Sequence, residues 1–250
     1  MSEVHKPSFL DCPGSKSIVV FIHGFMGSPR QFDRLADAVR NNGLNALILL
    51  LPGHGRTTKE FSSCTYRMWK DYVRSEIDKL SYEFDNIWLV GHSMGGLLAL
   101  CAAVYPNPNV RGVFPIASPL ELTFLSPEDI KVRLIQVFYK DGHHIKDEYL
   151  KKSSVPRSPD IFFRSLAPMV EVKKLMLFTE KNLTKIRIPV MAVYSISDEL
   201  ISIKSIKILK SGLTAASPFK YIVLTDSLHA YYTEEEKVII ESALIEFLTK

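Results

Sequence analysis

Residues 87–105 read IWLVGHSMGGLLALCAAVY, and this stretch decides the fold. The apolar run at 87–90 predicts a buried strand, and the apolar run at 97–105 predicts a helix. Between them, Gly91-His92-Ser93-Met94-Gly95 fits the pattern G-x-S-x-G. On a tight turn from strand to helix, the two glycines leave room for neighbouring chains and the serine hydroxyl is exposed beside the helix N-terminus, which favours negative charge. The stretch therefore predicts that Ser93 is a nucleophile.

The chain on both sides of this motif alternates apolar runs with amphipathic runs. This alternation is typical of a mostly parallel sheet flanked by helices, in which a helix connects one buried strand to the next. Strands are predicted at 17–22, 45–51, 87–90, 110–117, 189–195 and 221–224. Helices are predicted at 29–42, 66–84, 97–105, around 202–209, and after Thr233, where Glu236 completes a capping-box pattern.

The alternation stops at Ser118, and residues 119–187 show no clear strand and two predicted helices rich in Phe, Leu and Met. We therefore predict one α/β core domain, formed by residues 1–118 and 188–250, and an insertion at 119–187 after the fourth predicted strand. Ligands of open α/β sheets bind outside the carboxyl ends of the strands, which is where both ends of the insertion lie. The insertion is therefore predicted to be a mainly helical cap over the ligand, with a few residues facing the cleft from this set: Phe124, Leu125, Phe138, Phe162, Phe163, Met169 and Phe178.

A serine hydroxyl needs a base to take its proton, and that base needs an acid to orient it. His229 follows the last predicted strand, and Asp198 follows the strand before it. The order Ser93, Asp198, His229 is the one that follows a strand–serine–helix turn of this kind. Glu199 is the rival acid, and Asp226 is interpreted as a cap on the end of the last strand. We predict Ser93, Asp198 and His229 as a catalytic triad.

The remaining histidines have structural interpretations. His23 and His92 flank the predicted site in sequence and are expected to brace its loops, and His54 lies in a Pro-Gly-His-Gly turn. His143 and His144 are adjacent in the insertion, but they lack further ligands at a spacing suited to a metal ion. The sequence therefore predicts no metal site, and the chemistry of a serine triad requires no cofactor.

Composition argues against several other classes of protein. The 250 residues carry 31 Lys and Arg and 27 Asp and Glu, and this net charge of +4 is too small and too dispersed to indicate nucleic-acid binding. No apolar run approaches the ~20 residues of a membrane-spanning helix. The first ten residues do not resemble a secretory signal, so a cytoplasmic location is expected. Cys12, Cys64 and Cys101 are scattered without a CxxC pair and are interpreted as reduced thiols, with Cys101 in the core.

Five short motifs together resemble a known group of proteins: His23-Gly24-Phe25-Met26-Gly27-Ser28, Leu51-Pro52-Gly53-His54-Gly55, Gly91-His92-Ser93-Met94-Gly95-Gly96, Ser197-Asp198 and Leu228-His229. They are similar to motifs of the small bacterial carboxylesterases and monoacylglycerol lipases of the α/β-hydrolase superfamily. The resemblance spans residues 17–118 and 188–248, and the insertion lies where that family carries its cap. It implies an oxyanion hole formed by the backbone N–H groups of Phe25 and Met94. The chain differs from the family after His229, where it has Ala230-Tyr231-Tyr232 instead of a small β-branched pair.

The resemblance implies an α/β-hydrolase fold and hydrolysis of carboxylic esters through an acyl-enzyme intermediate. The expected partner is a small-molecule ester with an apolar acyl group, either a short- to medium-chain ester or a monoacylglycerol. Two alternatives stay open. The same triad can cleave a thioester, an amide or a carbon–carbon bond, and the fold can serve as a non-catalytic ligand-binding protein. A dehalogenase or an epoxide hydrolase is excluded, because proteins of those kinds carry Asp at the position of Ser93. No oligomeric state is predicted.

Overall fold

The computed structural model describes residues 5–123, 153–155, 160–216 and 218–249. Several residues named above lie outside these ranges, namely Phe124, Leu125, Phe138, His143 and His144, and the side chain of Phe162 is also outside the description. Their predicted positions in the cap, and the absence of a metal role for the two histidines, therefore stay predictions.

A seven-stranded sheet lies at the centre of the described part of the chain. Its order is β1-β3-β2-β4-β5-β6-β7, and every pairing is parallel except that of β1 with β3. The carboxyl ends of β4, β6 and β7 therefore meet at one edge. The strands are β1 (Ser8–Leu10), β2 (Ser17–Ile22), β3 (Asn45–Ile48), β4 (Asn86–His92), β5 (Val110–Ile116), β6 (Val190–Ser195) and β7 (Phe219–Leu224).

The six predicted strands are present, with small shifts at their ends. β2 has the predicted bounds, and its residues 18–22 are completely buried, as expected for a strand covered by helices on both faces. β3 ends three residues before the predicted end, and β4 extends one residue earlier and two residues later than predicted. The edge strand β1 is missing from the prediction because three residues are too few to show an alternating pattern.

Helices cover both faces of the sheet. One face packs against the first and last helices, and the other packs against the remaining long ones, so that the core consists of two apolar layers. The helices are α1 (Asp33–Asn41), α2 (Thr58–Ser62), α3 (Tyr66–Leu80), α4 (Met94–Ala103), α5 (Ile161–Asn182), α6 (Ser205–Gly212) and α7 (Glu234–Leu248).

Three helix starts differ from the prediction. α6 begins at Ser205, three residues after the predicted start near residue 202. A 3-10 turn (Pro29–Phe32) precedes α1, so the helix predicted from residue 29 begins only at Asp33. α4 begins at Met94 rather than at residue 97, although two glycines in its first turn are poor helix formers. The Cys101 side chain in α4 is fully buried, as predicted, and its Sγ lies 3.1 Å from Thr179 Oγ1 of α5. All three cysteines are free of disulfides.

The described residues of the predicted insertion pack on the rest of the chain. In α5, Leu175 and Met176 are buried in the larger apolar layer. Phe178 packs on the same layer, with its ring 6.2 Å from the Tyr66 ring. Phe163 is 72% exposed and Met169 is 49% exposed. Of the candidate lining residues that the structure describes, Phe178 is thus core packing and the other two face solvent.

Candidate active site

Ser93 lies between β4 and α4 in a strained backbone conformation, with φ 54° and ψ −121°. A non-glycine residue held in such a region costs about 1–3 kcal/mol. The strain is accompanied by very close backbone approach. A Cβ atom on Gly95 would lie 1.9 Å from the carbonyl oxygen of Ile22, and one on Gly91 would lie 2.2 Å from the carbonyl oxygen of Gly95. Only glycine fits at these two positions, which explains the G-x-S-x-G pattern.

The three predicted triad residues form one hydrogen-bonded chain. His229 Nε2 lies 3.0 Å from Ser93 Oγ, and His229 Nδ1 lies 2.9 Å from Asp198 Oδ2. The other carboxylate oxygen, Asp198 Oδ1, accepts from the backbone N–H groups of Leu200 (2.9 Å) and Ile201 (2.8 Å). Because a carboxylate only accepts, Nδ1 of the histidine must donate to it, and Nε2 is left to accept the serine proton.

Burial and neighbouring charges shift the pKa of His229 in opposite directions. Burial lowers the pKa of His229, but the neighbouring carboxylate of Asp198, and to a lesser degree that of Glu199, raises the pKa above its ordinary value of 6.5 overall. Burial likewise opposes ionisation of Asp198, yet the imidazole and the two backbone donors hold the pKa of this carboxyl group below its ordinary value. Asp198 is therefore ionised at neutral pH and can stabilise an imidazolium.

The rival acid Glu199 and the predicted strand cap Asp226 have other hydrogen-bond partners. Glu199 Oε2 accepts from the backbone N–H of His229 at 2.9 Å, so this carboxylate contacts the main chain of the histidine. Asp226 is the second residue after β7, and its carboxylate accepts a hydrogen bond from Thr225 Oγ1 at 2.6 Å. Asp198 Oδ2 is the carboxylate oxygen that lies within hydrogen-bond distance of His229 Nδ1.

The loop at residues 24–27, called the Phe25 loop below, runs beside Ser93. A Cβ atom on Gly24 would lie 3.1 Å from Ser93 Cβ. The Gly24 N–H donates to Gln31 Oε1 at 3.1 Å, and the Gly27 N–H donates to the Gly24 carbonyl at 3.0 Å. Among the described residues, neither the Phe25 N–H nor the Met94 N–H has a hydrogen-bond acceptor. Two unused donors next to Ser93 fit the oxyanion hole that the resemblance implies.

Residues 153–155, which belong to the predicted insertion, bind this loop. Ser154 donates from its backbone N–H to the Met26 carbonyl at 3.0 Å and from its hydroxyl to the Gly27 carbonyl. In return its own carbonyl accepts from the Gly55 N–H at 3.2 Å. A small apolar cluster lies next to these contacts. Phe25 and Met26 pack there against three buried side chains, those of Phe61, Val155 and Ile161. The sequence did not predict Ser154, Val155 or Ile161, because this segment has no periodic pattern.

Two histidines brace the site, as the sequence predicts. His92 Nε2 donates to the carbonyl of His229 at 2.9 Å, and the two rings lie 5.0 Å apart. His23 Nε2 accepts from the Leu51 N–H at 3.0 Å, and its Nδ1 donates to the Gly24 carbonyl at the same distance. Burial holds the pKa of His23 well below its ordinary value, so this ring is neutral and can accept. Both rings therefore tie site loops to the sheet.

Within the described ranges, no group of three or more His, Cys, Asp or Glu side chains could hold a metal ion. In the same part of the chain, no helix has the length and apolar character needed to cross a bilayer.

The nucleophile of the candidate site is buried. Ser93 is only 8% exposed, so an ester that reaches it leaves bulk water.

Comparison with known proteins identifies the family. Residues 19–214 match the family model of the Alpha/beta hydrolase family. The chain belongs to this family. Both the resemblance inferred from the motifs and the predicted fold class are thereby confirmed.

Individual relatives are distant. The thermostable monoacylglycerol lipase of Bacillus sp. (strain H-257) is 23% identical over 233 residues, which are 93% of this chain and 90% of that protein. The crystal structure of Paleococcus ferrophilus monoacylglycerol lipase is 19% identical, with a TM-score of 0.74 over 97% of both chains. The 2-succinyl-6-hydroxy-2,4-cyclohexadiene-1-carboxylate synthase of Salmonella agona (strain SL483) is 33% identical over 102 residues, but these cover 40% of this chain and 38% of that protein.

Proposed function

We propose that this protein is a serine hydrolase that cleaves carboxylic esters, with Ser93, His229 and Asp198 as nucleophile, base and acid. One observation carries the proposal: a buried serine on a strained turn is hydrogen-bonded to an imidazole whose other nitrogen donates to a buried carboxylate. This geometry supplies both a base for the serine proton and an anion to stabilise the cation that results.

The reaction proceeds in two halves. His229 Nε2 takes the proton of Ser93 as Oγ attacks the ester carbonyl, and the negative charge develops beside the Phe25 and Met94 N–H groups. Each such donor lowers the barrier by about 3–4 kcal/mol. The imidazolium then protonates the leaving alcohol, which leaves an acyl group on Ser93. His229 then takes a proton from a water molecule, which attacks the acyl-enzyme. The carboxylic acid product is released, and no cofactor takes part.

The proposed substrate has an apolar acyl group, either a short- to medium-chain ester or a monoacylglycerol. Two observations support this choice. The cluster formed by Phe61, Val155 and Ile161 places apolar side chains beside the Phe25 loop. In addition, the relative that aligns over 93% of this chain is a monoacylglycerol lipase. We further propose that residues 119–187 act as the cap that covers this group.

A second candidate uses the same residues on a different bond. The local similarity to the synthase favours it, although that similarity spans only 38% of the synthase. Cleavage of a thioester, an amide or a carbon–carbon bond requires a leaving group other than an alcohol, and the fold does not choose among these. The near full-length alignment to a lipase favours the ester.

The test is a substrate panel with a matched variant. Purified protein is assayed against p-nitrophenyl esters and monoacylglycerols of graded acyl length, and against the corresponding acyl thioesters and anilides. We expect hydrolysis of esters with a clear preference in chain length, and none with Ser93→Ala. Thioester turnover above ester turnover at every chain length would favour the second candidate. No turnover on any arm, together with no labelling by a fluorophosphonate, would indicate a non-catalytic binding protein.

A further inference from the structure

Glu236 is a buried carboxylate that the proposed mechanism does not use. It lies in the first turn of α7 and is 5% exposed, and among the described residues it forms no ion pair with a cation. A buried charge without a counter-ion is costly unless hydrogen bonds replace the lost water. Such a group needs an explanation in terms of what it binds.

The partners of Glu236 are backbone donors of one loop. Its Oε1 accepts from the N–H groups of Thr225 (2.6 Å) and Asp226 (3.1 Å), and its Oε2 accepts from the N–H of Ser227 (2.8 Å) and from the Ser227 hydroxyl. Three successive main-chain N–H groups thus converge on one carboxylate. Burial raises the pKa of Glu236, but these donors together lower it below its ordinary value, so the group is ionised at neutral pH.

The capping-box prediction is therefore half correct. Thr233 Oγ1 accepts from the Glu236 N–H at 3.3 Å, as the pattern requires. The carboxylate, however, does not return to the Thr233 N–H. That N–H donates to the Ser227 hydroxyl at 3.3 Å, and this hydroxyl is itself bonded to Glu236. The acidic side chain is thus directed to the loop that precedes the helix.

This loop carries the proposed base. Residues 225–233, called the histidine loop below, connect β7 to α7 without helix or strand, and His229 lies at their centre. Glu236 fixes the first three residues of the loop, and the Leu228 N–H is bonded to the Tyr231 carbonyl at 2.8 Å. The position of the imidazole therefore depends on where these few hydrogen bonds hold the chain.

We propose that Glu236 is a positioning residue: its carboxylate holds the start of the histidine loop so that His229 lies between Asp198 and Ser93. The inference rests on the proposed function, because positioning matters for catalysis only if His229 is the base. A neutral amide of the same shape cannot replace it. A glutamine has one oxygen to accept and one NH2 group that would face backbone N–H donors, so part of the loop would lose its acceptor.

The test compares Glu236→Gln with Glu235→Gln. Glu235 is the preceding residue of the same helix turn, is exposed and has no bonding partner among the described residues, so the second variant makes the same change of charge without touching the loop. Both proteins are assayed on a p-nitrophenyl ester, and active sites are counted with a fluorophosphonate. A displacement near 1 Å can lower turnover by about a hundredfold, so we expect Glu236→Gln to lower kcat by about tenfold to a hundredfold with little change in KM. Glu235→Gln should match the wild type.

A proton NMR spectrum supplies a readout that loss of stability alone does not change. The low-field resonance of the His229 Nδ1 proton, bonded to Asp198, should broaden or vanish in Glu236→Gln and persist in Glu235→Gln. If Glu236→Gln does not fold, Ser227→Ala and Glu236→Asp replace it, since each weakens the same contact while keeping a carboxylate. Both should lower kcat relative to the wild type, by less than the hundredfold upper bound given for the glutamine variant.

Wild-type kcat per labelled site and an unchanged resonance in the Glu236 or Ser227 variants would overturn the inference, whatever their thermal stability. Failure of the proposed function looks different. In that case the wild type itself neither hydrolyses esters nor reacts with the fluorophosphonate, while the resonance still reports whether Glu236 positions the imidazole.

Discussion

Replacing Asp198 by Asn tests the orientation of the histidine, and the structure determines how the new amide must lie. Asp198 Oδ1 accepts from two backbone N–H groups, those of Leu200 and Ile201. The amide oxygen of an asparagine must take this place, because the NH2 group cannot accept. The NH2 group then faces His229 Nδ1 in place of Oδ2, which lies 2.9 Å from that nitrogen. The imidazole must accept on Nδ1 and carry its proton on Nε2, where it blocks transfer from Ser93.

The magnitude follows from the cost of the productive alternative. Rotating the amide restores an acceptor for Nδ1 but leaves the Leu200 and Ile201 N–H groups buried without partners, at about 1–3 kcal/mol each. The sum of about 2–6 kcal/mol corresponds to a loss of roughly 30-fold to 10⁴-fold, because 1.36 kcal/mol is a factor of ten in rate. Lost stabilisation of the imidazolium adds to this, so we expect kcat to fall by about 10³–10⁴, in line with a triad of this type.

The assay is steady-state hydrolysis of a p-nitrophenyl ester at neutral pH, with Glu199→Gln as the matched control. A glutamine oxygen can still accept from the His229 N–H. The control exchanges a charge-assisted hydrogen bond for a neutral one, a difference of about 1 kcal/mol or roughly fivefold. A large loss in Glu199→Gln with a small loss in Asp198→Asn would refute the assignment of the acid.

Three further predictions use the same assay. Ser93→Ala should keep the protein folded and reduce turnover to the residual level that binding and the oxyanion donors support, about 10³–10⁴ above water; retention of more than a few per cent of activity would place the nucleophile elsewhere. Because the base must be neutral and the pKa of His229 is raised above 6.5, kcat/KM should fall as pH decreases through a midpoint above 6.5, and a midpoint below that value would contradict the electrostatics. Ile161→Ala should shift the preference between long and short acyl esters and lower the free energy of unfolding by about 2–5 kcal/mol. Phe163→Ala, at an exposed position, should do neither. If the two variants behave alike, Ile161 does not contact the acyl group as proposed.

The sequence predicts well those parts in which chemistry and packing impose a local pattern. The predicted bounds of β2 match the structure, because a strand that is buried on both faces has a continuous apolar sequence. The sequence predicts that three side chains lie close together, namely those of Ser93, Asp198 and His229. Each of them follows a strand, and the carboxyl ends of parallel strands lie at the same edge of the sheet. The predicted start of α4 is late because Gly95 and Gly96 are poor helix formers, whereas Gly95 is needed here because its backbone closely approaches the carbonyl of Ile22.

Other parts could not be predicted because their roles depend on distant partners. Glu236 has the same sequence context as an ordinary capping residue, and only the return of the chain from β7 shows that its carboxylate binds the histidine loop. Gln31 contacts Gly24, but nothing near it in the sequence distinguishes it from a surface glutamine. Val155 and Ile161 lie in a segment without periodicity, so their burial against Phe61 comes from tertiary packing alone.

The contact between Ser154 and the Phe25 loop has a consequence for protein engineering. Caps are attractive units to exchange between related hydrolases when a new substrate range is wanted. Here Ser154, which lies in the proposed cap, donates its N–H to the Met26 carbonyl and its hydroxyl to the Gly27 carbonyl, so part of the frame beside Ser93 would leave with that cap. A chimaera must therefore carry over residues 153–155 or rebuild an equivalent segment. Without it, a new cap is expected to change turnover of even the smallest esters, which make no use of the cap's own lining.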